Sequence, residues 1–177
     1  MTLTSTVDAF GVMIEPSVLK IERVLPGPAE RVWAYLTEGE LRQKWLAAGD
    51  MKLVPGATFE LVWRNDELSR IPSNRPDGFG PEERMNSQIL EVDPGRRLVF
   101  SWSDGSEVSF ELTPEGEEVR LTIVHRRLPN RSTILGVSAG WHAHLDILVA
   151  QMESREAAPF WDAWVQLRTE YEATFPG

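Results

Sequence analysis

The chain has 177 residues, no cysteine, 42% apolar residues and a formal charge of −9 from 27 acidic against 18 basic side chains. That is the length of one domain with a core large enough to stand without cross-links, and the absence of thiols excludes disulfides, thiol catalysis and cysteine-based metal sites and suits a reducing compartment. A net negative surface repels a phosphate backbone, which excludes nucleic acid as a partner, and with no basic leader and no run of about 18 apolar residues the expected location is cytoplasmic, off the membrane.

Residues 1–15 read as an N-terminal extension in which Phe10, Val12 and Ile14 offer a short edge strand, and 16–177 read as one domain. Ser17–Leu25 alternates Leu19, Ile21 and Leu25 with Lys20, Glu22 and Val24, the period of a half-buried strand. Pro26-Gly27-Pro28 ends it and opens a helix with Val32, Trp33 and Leu36 on one side, because proline costs nothing in a first turn. A second short helix is expected over Glu40–Leu46. Met51–Val54 and Ala57–Asn65, separated by Pro55-Gly56, predict a hairpin. Asp66–Glu83, rich in Pro, Gly, Asp and Arg and without period, predicts a long mobile loop, with a lid role left open. Arg84–Val92, Arg97–Trp102, Glu107–Thr113 and a strand through Val119, Leu121, Ile123 and His125 follow as a meander. Asn130–Ser138 reads as a linker. From Ala139 a helix presents Trp141, Leu145, Leu148 and Met152 at spacings of +4, +3, +4, and a last helix over 159–175 presents Phe160, Trp164, Leu167, Tyr171 and Phe175.

The order of these elements, with VLPGPAERVWAYLTEGELRQKWLAAG, LEVDPGRRLVFSWSD and GWHAHLDIL in sequence, resembles the START-like (Bet v 1-like, SRPBCC) superfamily. More narrowly it resembles the branch similar to the C-terminal domain of the activator of Hsp90 ATPase. The resemblance implies an α+β helix-grip fold, in which a curved antiparallel sheet wraps a C-terminal helix and two short helices close one end around a cavity. Members use that cavity for lipids, hormones or aromatic polyketides. The helix over 159–175 is a departure from that pattern and is expected outside the grip. It either extends the core or forms a homodimer face, since its aromatics are of the interface-anchor type.

Within that fold the expected cavity lining is Trp63, Gln88, Phe100, Trp102, Phe110, Ile123, His125, Trp141, His144, Leu145 and Leu148. His142, His144 and Asp146 resemble a metal triad in spelling only. Residues i and i+2 stand about 200° apart on a helix, so no metal is expected, and His142 and Asp146 pair on the outside. His144 borders the inner stripe, either turned into the cavity or satisfied by a backbone carbonyl. His125 either orients a ligand from an apolar wall or sits exposed at the rim beside Arg126 and Arg127. No nucleophile elbow, phosphate cradle or paired acid and base occurs, so neither catalytic residue nor cofactor is expected. The expected function is non-enzymatic binding of a small apolar or aromatic molecule. A chaperone-directed interaction of the Hsp90-activator kind and a cyclase or aromatase activity stand as alternatives.

Overall fold

The computed structural model describes residues 9–177. Seven strands, β1 (Val12–Glu15), β2 (Val18–Pro26), β3 (Thr58–Trp63), β4 (Glu83–Asp93), β5 (Arg97–Ser101), β6 (Glu107–Glu115) and β7 (Glu118–Arg126), form one antiparallel sheet in the order β1-β2-β7-β6-β5-β4-β3. Helices α1 (Ala29–Thr37) and α2 (Gly39–Arg42) lie between β2 and β3, and α3 (Arg131–Met152) and α4 (Phe160–Thr174) end the chain. This is the α+β helix-grip architecture. The hairpin-linked run from β3 to β7 is completed by β2, which pairs with β7 over Leu19↔His125 to Pro26↔Glu118.

The sheet buries one face, as antiparallel sheets with one solvated side do. Leu19, Ile21 and Leu25 of β2, Val108, Phe110 and Leu112 of β6, and Val119, Leu121, Ile123 and His125 of β7 are all buried. Arg23 occupies the remaining inward position of β2, opposite Leu121, and is itself buried. Its guanidinium is not left bare, because it donates to the carbonyls of Ala9 and Glu22 and to Asp146 Oδ1 at 3.0 Å. β1 is the expected edge strand, and residues 1–8 of the predicted extension lie outside the described residues.

α3 begins eight residues before the expected start. Asn130 caps it, its side chain accepting from the Thr133 N–H at 2.9 Å, so the stretch read as a linker is the first two turns of the helix. α3 is also buried on more than one face, since the sheet grips it on one side and α4 covers it on another. His142 therefore is not outside: it is buried, with Nδ1 2.8 Å from the Tyr171 hydroxyl of α4 and the Phe10 ring 4.8 Å away. The expected partner Asp146 is exposed, 3.6 Å from His142 Nε2.

Two further expectations change. Met51–Val54 makes no strand, because the Val54 N–H bonds back to Lys52 and the Ala57 N–H to Val54, which uses the backbone in tight turns around Pro55. Residues 66–83 are docked on α4: Trp161 Nε1 donates to Asp66 Oδ1 at 2.8 Å, Arg75 pairs with Asp66, and the Phe79 ring stands 4.7 Å from Trp161 and 5.2 Å from Trp164. Of the two readings of the α4 aromatics, core extension or homodimer face, the packing within the chain matches the first at Phe160, Trp161 and Tyr171, which are buried.

Candidate functional site

The site lies where the N-terminal half of α3 passes over the ends of β3 and β5, and its geometry starts at the α1–α2 corner. α2 stops at Arg42, whose buried guanidinium donates to the carbonyls of Leu36, Thr37 and Gly49. Gly49 has φ +127° and a Cβ there would collide with the Glu60 carbonyl oxygen, so only glycine closes this corner. Burial lowers the Arg42 guanidinium to about 10, against the opposing charge of Asp50. The corner fixes Trp45, fully buried with its indole N–H on the Tyr35 carbonyl at 2.8 Å. Because helix does not continue past it, the Trp45 carbonyl is left for a side chain. His144 takes it, with Nδ1 at 2.8 Å.

Beside His144 opens a half-open pocket of about 150 Å³, lined by Leu46, Trp63, Trp102, Gly136, Val137, Gly140, Trp141 and His144. Trp102 is the hub of its aromatic wall, with ring centroids 5.5 Å from Trp63, 5.5 Å from Trp141 and 5.2 Å from His125. Gly136 and Gly140 sit one turn apart on α3. A Cβ would meet nothing nearer than Trp164 at 3.8 Å and 4.0 Å, respectively, so alanine fits at both. Glycine inside a helix costs about 1 kcal/mol relative to alanine. Both glycines line the pocket, and the neighbour that a side chain there would first meet is Trp164 of α4.

Of the residues expected to line a cavity, Trp63, Trp102, Trp141 and His144 do so. Phe100, Phe110, Ile123, Leu145 and Leu148 fill the core beneath, each at most 1% exposed, with Phe110 5.3 Å from Phe100 and 5.8 Å from Trp141. Gln88 is on the other face: Ser87 and Ile89 point inward, and the Gln88 side chain is outside, donating to the Gly56 carbonyl at 3.2 Å.

His125 is buried but chemically closed, neither at the rim nor free for a ligand. Trp141 Nε1–H donates to Nδ1 at 3.1 Å, which leaves the proton on Nε2, and Nε2 meets Ser106 Oγ at 3.1 Å, whose own proton goes to the Ser103 carbonyl at 2.9 Å. Burial lowers its pKa to about 3. In His144 burial outweighs the bond to Trp45 and the pKa falls to about 4, so both rings are neutral near pH 7. Sequence reasoning missed Leu46, Gly136, Val137 and Gly140. For Gly136 and Val137 the signal was present, since asparagine is a favoured helix cap and Asn130 stands just ahead of them. It also missed Arg23, although its place between Ile21 and Leu25 puts it on the inward face.

Among the described residues no group of three or more His, Asp or Glu could hold a metal ion, and no helix is long and apolar enough to cross a membrane. The model of the activator of Hsp90 ATPase homolog 1-like family matches residues 26–153. A protein of Bordetella parapertussis, solved by NMR, is 35% identical over 100% of this chain and 97% of its own, with a TM-score of 0.79. The fold is also that of CalU16 from Micromonospora echinospora (20% identity, 88% of this chain and 86% of that one, TM-score 0.64). DynU16 of the dynemicin biosynthetic locus shares it too (20% identity, 83% and 50%, TM-score 0.64). Curated proteins give no match. The family match runs from the end of β2 through the sheet to the end of α3, and so takes in every element that builds the pocket: the chain belongs to the activator of Hsp90 ATPase homolog 1-like family.

Proposed function

We propose that this protein is a binding domain, without catalysis of its own, for a small apolar or aromatic molecule seated between Trp63, Trp102 and the N-terminal half of α3. The observation that carries the reading is the pair Gly136 and Gly140, two positions where alanine fits and helix stability favours it, both on the pocket wall. The surroundings match what ligand sites require, since these are concave, mainly apolar and aromatic, with few polar groups. An apolar cavity of about 150 Å³ takes up a single benzene ring. A cyclase or aromatase reading would call for two ionisable groups converging on the ligand, and among the described lining residues His144 is the one titratable side chain.

The test is occupancy. Thermal-shift and native mass spectrometry of the intact chain against monocyclic aromatics should show saturable one-to-one binding, lost in Gly140→Leu, whose side chain fills the space while α3 keeps its helix. Wild-type protein that binds none of the panel at millimolar concentration, or a Gly140→Leu variant that binds as well as wild type, would overturn the proposal.

A further inference from the structure

The two nitrogens of His144 have different fates. Nδ1 faces the Trp45 carbonyl, which only accepts, so the proton of the neutral ring is on Nδ1 and Nε2 carries the lone pair. Nε2 has no partner among the described residues, and it is not sealed in, since the buried unpartnered side-chain atoms are Arg42 Nε, Asn65 Oδ1, Ser87 Oγ and Ser138 Oγ. The opening that His144 lines is the pocket. The other polar side-chain atoms on its wall are indole N–H groups, which donate and never accept, and that of Trp141 is already spent on His125.

From this asymmetry we infer that the pocket selects an uncharged single aromatic ring bearing a hydroxyl, a phenol-class ligand whose O–H donates to His144 Nε2. A hydroxyl also offers lone pairs to the free indole N–H groups of Trp63 and Trp102. A carboxylate is disfavoured, because its oxygens have no proton to give the Nε2 lone pair. The inference rests on the binding reading above and adds a polarity rule to it.

Phenol and toluene differ by hydroxyl against methyl at nearly equal size, so the ratio of their affinities isolates the donor. Titration of wild type and His144→Phe with both should show the phenol-to-toluene preference falling about tenfold in the variant, the scale of one buried hydrogen bond. Independently of any substitution, the ¹⁵N resonance of His144 Nε2 in wild type should move on phenol addition and stay put on toluene. Binding of toluene with an unchanged preference in His144→Phe and a static Nε2 resonance would overturn the inference while leaving the pocket a binding site. Failure of both compounds to bind would remove both.

Discussion

Two buried histidines on facing elements, His125 of β7 and His144 of α3, differ in how many of their hydrogen-bonding positions the fold has already used. Both are neutral for the same reason, loss of water around the charged form. At the centre His125 is one link in a closed chain from the Trp141 indole to the Ser103 carbonyl, with the Trp102 and Trp141 rings packed around it. At the mouth His144 makes one hydrogen bond inward and leaves its second nitrogen beside a pocket. Burial alone would rank His125 first. Counting which hydrogen-bonding positions are already used reverses the order.

The broadest way to test the shared part of this comparison is acid. Both groups have folded pKa values, about 3 and about 4, below the ordinary 6.5, so the unfolded chain binds more protons in that window. Their contribution is complete above pH 6.5 and is lost as pH falls toward 4, at about 1.4 kcal/mol per pH unit for each group. Urea unfolding at pH 7 and at pH 4.5 should differ by several kcal/mol, on the order of the whole stability of a domain. A flat profile would show that both rings are already solvated, and half the expected loss that one of them is. The next effect separates the two. His125→Ala removes a packed ring and strands the Trp141 indole donor and the Ser106 Oγ acceptor, so it should cost about 3 kcal/mol or more. His144→Ala should cost about half as much, because it gives up one hydrogen bond and opens onto existing space; equal losses in chemical denaturation would dissolve the distinction. The smallest effect has the opposite sign. Gly140→Ala should raise stability by up to about 1 kcal/mol while weakening binding of an aromatic ring, and a thermal midpoint that falls would mean that the glycine serves packing against Trp164.

Most of the sheet was legible because period two speaks plainly where one face is buried: Leu19, Ile21 and Leu25, and Val119 through His125, all fall where alternation puts them. β4 was harder. It carries Ile89 and Leu90 in succession, and a bulge between Ile89 and Glu91 resets the phase, so simple alternation puts Gln88 on the wrong face. In α3 the inner stripe was readable, but the outer side was not, because periodicity in one helix says nothing of what a later helix covers. Tyr171, 29 residues beyond His142, and Phe10, far before it, together put this imidazole inside. The pocket was legible only in its aromatics. Gly136 sits in a segment where glycine and serine look like turn residues, and what overrides that look is the tertiary packing of α4 over α3.

Three of the seven tryptophans line the pocket, and a fourth, Trp164, donates from behind it to the Gly136 carbonyl at 3.1 Å. Indole emission responds to the polarity and hydrogen bonding of its immediate surroundings, so the protein has its own optical reporter concentrated at one place. A molecule entering the pocket beside Trp63 and Trp102 changes the surroundings of these chromophores, and unlabelled chain in a cuvette is enough to follow it.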